Sequence, residues 1–261
     1  MSWLRLLVIG GLTSYRAFFT WLSPWIFIPI LVLAPIFQIL LFVFVGRVAG
    51  IGDDRFFLIG NAIQYAAIPC LFAMIVTINN ERVQGTLPLL LASPARRIPL
   101  FLGRALPIIL NGFVVSVVAL VFGAVLLRVQ LAPPSLLPMA AVVAVCAFSC
   151  TGLGLATAAV GLRVREVNVL GNVIFGVLLI FAGVNIPLDL LPGWMGAVGQ
   201  WMPLTHGIAA TRQVAGGSGL TEVTSEMGKE AGLGVFYVAA GLCLLWWFER
   251  QSRQRAALEL R

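Results

Sequence analysis

Six stretches of the chain stay apolar long enough to suggest membrane crossings. They run from Pro24 to Val45, Phe56 to Ile78, Ala105 to Leu127, Leu136 to Leu162, Val169 to Val184 and Gly232 to Trp247. A helical crossing takes about 20 residues against about 30 Å of hydrocarbon, and the fifth run is the shortest for that task. The pattern predicts an all-α membrane protein: one transmembrane domain over residues 1–261 with six transmembrane helices and both termini on one side.

Two further segments are apolar without spanning. Residues 1–23, MSWLRLLVIGGLTSYRAFFTWLS, can place Trp3, Leu4, Leu7 and Val8 on one helical face, with Arg5 and Arg16 off it. Such a segment lies in the headgroup plane as an interfacial helix; the other reading is an extension of the first span. Residues 186–230 form a long connection whose first half is not typical of a soluble loop. Trp194 and Trp201 are two helical turns apart, bracketed by Pro192 and Pro203. Each half is too short to cross, and backbone that enters hydrocarbon must be helical or covered by protein. The expectation is a re-entrant helical hairpin between the fifth and sixth spans, against an ordinary loop with a tryptophan belt. After Gly216–Gly217 the segment turns acidic and polar.

Composition narrows the class. Apolar residues make up 60% of the chain and charged residues 10%, against about 25% charged in a soluble domain. The net charge of +7 sits at the ends of apolar runs, which speaks for membrane topology and against nucleic acid. With the N-terminus in the cytoplasm, twelve of the 17 basic residues, from Arg5 to Arg261, share its side, and Arg47, Arg55, Arg128, Arg212 and Lys229 lie opposite. The positive-inside rule therefore orients a multi-pass protein of the plasma (inner) membrane with both termini cytoplasmic. Residues 186–230 then fall outside.

Candidate chemistry is sparse. Cys70, Cys146, Cys150 and Cys243 lie within apolar runs, and the single histidine, His206, offers no metal-ligand spacing. No metal site is expected. A Walker A loop needs G-x-x-x-x-G-K-[ST], and Gly228–Lys229 is followed by Glu230, so the chain binds no ATP by that route. The spans read as free of charge at their centres, which disfavours ion-coupled transport without excluding it. Cys146, Cys150, Gly154 and Ala158 repeat every four residues, a small-residue stripe that permits close helix packing. Five amides remain inside the spans: Gln38, Asn61, Gln64, Asn111 and Asn172. They line a substrate path or simply bond helix to helix. Both readings fit.

A membrane domain with no engine of its own needs a partner. The longest connection on the cytoplasmic side, within residues 79–98, is basic and half apolar: NNERVQGTLPLLLASPARRI. Thr86 can cap a short helix with Leu87–Pro88 in its first turn, and Ser93–Pro94 ends it. Its leucines, ringed by Arg82, Arg96 and Arg97, suit a groove on another protein or an anionic membrane surface.

The stretch ERVQGTLPLLLASPARRIPLFLGR resembles the signature of type-2 ABC exporter permeases, a family of drug-resistance, polysaccharide and nodulation-factor exporters. Gly85, Thr86, Leu87, Leu90, Ser93, Pro94, Gly103 and Arg104 fit, while Pro88 stands where the family usually has glutamate. Pro187, Leu191–Pro192, Trp194, Pro203, Thr205 and Arg212 are similar to the family's external hairpin. The resemblance implies a half-channel that pairs with a second copy or a homologous permease. It would rest on separate cytoplasmic ATPase subunits, which hold the ATP and Mg; this chain holds no cofactor. It makes residues 79–98 a cytoplasmic coupling helix between spans two and three. Glu81, Arg82, Gly85, Thr86, Leu87, Leu90, Ser93, Pro94, Arg96 and Arg97 are then its ATPase-coupling residues. Pro192, Trp194, Trp201, Pro203 and His206 become the external gate. The expected function is export of an amphipathic or lipid-linked molecule from the cytoplasm or inner leaflet. The alternative is a stand-alone secondary transporter or channel; a membrane-embedded enzyme is disfavoured by the missing acidic clusters.

Overall fold

The computed structural model describes residues 24–50, 53–83, 97–164 and 166–259, and all regular secondary structure among them is helical. The predicted interfacial helix, residues 1–23, lies outside the described residues. So does most of the predicted coupling segment, including Gly85, Thr86, Leu87, Leu90, Ser93, Pro94 and Arg96.

Among the described residues nine α-helices follow in chain order: α1 (Pro24–Ala49), α2 (Asp54–Gln64), α3 (Ala67–Val83), α4 (Arg97–Leu127), α5 (Leu136–Gly161), α6 (Val167–Phe181), α7 (Gly193–Gly199), α8 (Thr205–Ala215) and α9 (Thr224–Glu259). Among these residues, five stretches are long and apolar enough to cross a membrane: Val32–Ala49, Asp54–Thr77, Gly103–Leu127, Pro133–Gly161 and Thr224–Phe248. The predicted fifth span becomes α6, whose 15 residues reach only about 22 Å at 1.5 Å per residue. It stops because Gly183 turns the chain at φ +70°, a left-handed conformation that glycine adopts without steric cost. Among the described residues the six expected spans thus appear as five stretches long enough to cross and one short apolar helix, at the run that was already the shortest.

The second predicted span is also not one rod. It breaks at Tyr65–Ala66 between α2 and α3. Pro69 lies four residues past Tyr65, and in a continuous helix its ring would strike the Tyr65 carbonyl while supplying no N–H. The break tightens instead: the Ala66 N–H donates to Ile63 O at 2.9 Å, and the Tyr65 N–H to Asn61 O at 3.1 Å.

Helix α5 is the hub, packing against α3, α4, α6, α8 and α9. Small residues permit these contacts. A Cβ on Gly154 would come within 2.7 Å of Cys70 O on α3, and one on Gly152 within 2.8 Å of Gly234 O on α9. Within the stripe read from the sequence, Gly154 thus faces α3 and Cys146 lies against Gly207 of α8, and the neighbouring Gly152 serves α9. Outward-facing residues form apolar stripes at helical spacing. Phe37, Leu41, Phe44 and Val48 mark α1, and Leu106, Leu110, Val114, Val121 and Val125 mark α4. Such surfaces belong against lipid tails or another apolar helix.

Candidate functional site

Two groups of buried polar side chains lie where α1, α2 and α5 meet the segment 183–230. The α2–α3 break places Asn61 and Gln64 on the last turn of α2, both fully buried. Asn61 Nδ2 donates to Phe57 O (2.9 Å) and to Asn185 Oδ1 (2.7 Å). Asn61 Oδ1 accepts from Gln38 Nε2 of α1 (2.9 Å), which also donates to Gln64 Oε1 (2.9 Å). Three of the five amides singled out in the sequence therefore form one cluster, and Asn185 completes it. Asn111 lies on α4, part-exposed, and Asn172 is exposed on α6 with its amide turned back to Asn168 O. Those two belong to other faces of the bundle.

Beside this cluster, Arg212 of α8 reaches into the bundle. Nη1 donates to Gly183 O (2.9 Å), and Nη2 donates to Val184 O (2.9 Å) and Phe56 O (3.2 Å). The guanidinium carbon lies 3.5 Å from the centroid of the Phe56 ring, where the face of the π-system attracts a cation. Burial pulls the guanidinium down to about 9, which leaves it charged at neutral pH. Close approach is possible because residue 60 is glycine: a Cβ there would stand 2.2 Å from Val184 O. Arg212 thereby ties the end of α6 to the start of α2. Arg55 performs a similar service nearby, donating to Ala215 O (3.0 Å) and Gln130 O (2.8 Å).

The predicted hairpin appears as two short helices, α7 and α8, joined by a tight turn at residues 200–204. Trp194 and Trp201 are both exposed, at 66% and 63%, and the Trp194 ring meets Phe181 edge-on at 6.0 Å between centroids. Pro192 is exposed at the start of α7, and Pro203 is buried in the turn. His206 is buried in the first turn of α8. Its Nδ1 lies 2.7 Å from Glu226 Oε2 and its Nε2 lies 3.1 Å from Gln200 O, and Lys229 Nζ donates to Glu226 Oε1 at 2.7 Å.

Sequence reasoning missed the residue that holds α8 in place. Leu204 precedes that helix at φ +78°, a left-handed conformation that is uncommon for a non-glycine residue. Glu230, placed outside the last span by its polar neighbours, is instead fully buried on α9. Its carboxylate accepts from Leu204 N (2.8 Å), Gly207 N (3.2 Å) and the Ser149 hydroxyl of α5. A carboxylate at a helix N-terminus satisfies otherwise orphaned N–H groups and complements the helix dipole. Helix α9 begins at Thr224, eight residues before the predicted span, so Glu230 lies within this helix and not in the polar connection ahead of it. The available signal was the i, i+4 pair Glu226–Glu230 just ahead of an apolar run.

Glu81 and Arg82 fall in the last turn of α3, and Arg97 opens α4. These helices thus lead into and out of residues 84–96. At the same end of the bundle Arg163 lies over the Phe248 ring, 4.8 Å from its centroid.

No curated protein matches the chain. A sequence profile of the ABC-2 type transporter family matches residues 11–215. That match takes in the amide cluster, Arg212 and the α7–α8 hairpin along with the first five apolar segments. On this ground the chain belongs to the ABC-2 type transporter family, as a membrane-embedded permease component and not itself an ATPase.

Proposed function

We propose that the chain is the permease subunit of an ATP-driven exporter, carrying an amphipathic or lipid-linked molecule from the cytoplasm or inner leaflet to the outside. The family match over residues 11–215 carries this reading. Two permeases form the conduit, a second copy or a homologue supplying the other half, and their exposed apolar stripes are suited to facing lipid or each other. Cytoplasmic ATPase subunits bind ATP and Mg and act on residues 79–98. Closure of those subunits moves this lever, and with it α3 and α4, between two arrangements of the bundle. The basic residues crowd the ends of α3, α4, α5 and α9, so this end faces the cytoplasm under the positive-inside rule. The α7–α8 hairpin closes the opposite, outer end.

A stand-alone ion-coupled transporter would use a buried ionisable group as its carrier site. The one fully buried carboxylate among the described residues, Glu230, has both oxygens engaged in seating α8. This supports a structural role and an external source of driving force.

The test is reconstitution into vesicles with and without the cognate ATPase. ATP-dependent export from the full complex, and none from the permease alone, is the expected result. Thr86→Pro, or Arg96→Glu together with Arg97→Glu, should abolish ATP-driven transport while insertion persists. Wild-type transport rates in both variants would remove residues 79–98 from the coupling role.

A further inference from the structure

The orientation of each amide in the Gln38–Asn61–Gln64–Asn185 cluster is set by one backbone group. Asn61 Nδ2 faces Phe57 O, which can only accept. Asn61 Oδ1 must then face Gln38, so Gln38 presents Nε2. The second hydrogen of that amino group reaches Gln64, which must present Oε1. On the other side, the second N–H of Asn61 reaches Asn185, which must present Oδ1. The sequence of donors and acceptors therefore ends on two amino groups, Gln64 Nε2 and Asn185 Nδ2.

Both are buried without a hydrogen-bond partner, and so is Nε of the adjoining Arg212. Gln64 itself is 0% exposed. Buried polar groups in folded proteins are almost always paired, so three unpaired nitrogens, one at each end of the amide chain and one on Arg212 at the loop of residues 183–185, are informative. All three are donors. The carboxamide oxygens of Asn61, Gln64 and Asn185 each already accept a bond; Gln38 Oε1 accepts none among the described residues but belongs to a part-exposed side chain, whereas the two terminal amino groups are buried and donate none within the protein. Gln38 and Asn185 are part-exposed and form the open side of the cluster; Asn61 and Gln64 form its floor.

We propose that this cluster is a binding site for an acceptor-only oxygen: the carbonyl, ether or phosphoryl oxygen of an uncharged amphipathic molecule. Such a group pairs an orphaned N–H donor. A donor such as an alkylammonium leaves it unpaired and meets the Arg212 charge at close range. No carboxylate pairs with Arg212 among the described residues, and its charge is already held by three carbonyls and the Phe56 ring, so the site does not require an anion. That the bound molecule is cargo rests on the permease reading; the binding chemistry does not.

The probe is triethylphosphine oxide, a compact acceptor whose phosphorus resonance moves downfield when its oxygen receives a hydrogen bond. It is titrated into the full chain in lipid nanodiscs and followed by phosphorus NMR. The expected result is a saturable, downfield-shifted resonance. Gln64→Leu and Asn185→Leu should each weaken binding at least tenfold, and triethylammonium should not displace the probe. Asn172→Leu, remote from the cluster, should bind as wild type. Gln64→Met serves as a second variant that avoids branching at the same position. Non-saturable partitioning into wild type, or unchanged affinity in folded Gln64 and Asn185 variants, overturns the site. ATP-driven export by a complex that fails to bind the probe would remove this inference and leave the permease reading standing.

Discussion

Two polar sites are buried in this bundle, and they differ in how completely their hydrogen bonds close. Around Glu230, one carboxylate meets two backbone N–H groups and a serine hydroxyl, and nothing is left over. Around Asn61, the carboxamides satisfy three of their four oxygens among themselves and leave buried amino groups unpaired. In an apolar interior an unpaired polar group is costly, so a saturated site is explained by the fold alone. An unsaturated one calls for something further. The comparison separates a residue that holds a helix from residues poised to hold a ligand, although both sets look alike as isolated polar letters in an oily sequence.

The contrast can be broken most forcefully at Glu230. Glu230→Leu strands Leu204 N, Gly207 N and the Ser149 hydroxyl together, and should destabilise the protein by about 3 kcal/mol or more. A fall in the thermal or denaturant midpoint in nanodiscs checks it; an unchanged midpoint would mean that the carboxylate does not seat α8. Next comes Gly60→Ala. Its new Cβ would meet Val184 O at 2.2 Å, and because that atom is backbone the Arg212-held loop must shift, at about 1–3 kcal/mol as for other overpacked sites. The same unfolding measurement should show a smaller drop than Glu230→Leu. The least effect is expected from Gln64→Leu, since it removes two N–H groups that have no partner along with one oxygen that has. Its cost should stay near or below about 1 kcal/mol, the range of interhelical hydrogen bonds in membranes. If Gln64→Leu proved as damaging as Glu230→Leu, the distinction between the two sites would be lost.

How far the sequence reveals these features depends on range. Spans show directly, because about 20 apolar residues in a row have few other uses. Asn61 and Gln64 could be paired in advance since residues three apart share a helix face. Gln38 and Asn185 could not be joined to them, because that contact is made across 23 and 124 residues of chain. The break at Tyr65–Ala66 was hidden because proline is tolerated inside membrane helices wherever neighbours satisfy the freed groups; α1 runs straight through Pro29 and Pro35. Glu230 was hidden for the opposite reason. It sits in a run of polar residues that reads as loop, and its burial is created by α5 and α8, which arrive from elsewhere in the chain. Of the coupling residues, only Glu81, Arg82 and Arg97 are placed, at the flanking helix ends; the rest remain legible only as sequence, since residues 84–96 lie outside the described structure.

Helix α9 has a further consequence. Its 36 residues measure about 54 Å at 1.5 Å per residue, nearly twice a hydrocarbon slab of about 30 Å. The apolar portion ends near Phe248, so the eleven residues from there to Glu259 rise roughly 16 Å further. This stretch carries the helix past its apolar portion, beside the Arg163–Phe248 contact. Whatever approaches that end of the protein meets this helical extension, and a label carried on its tip would report the approach before any cargo moved.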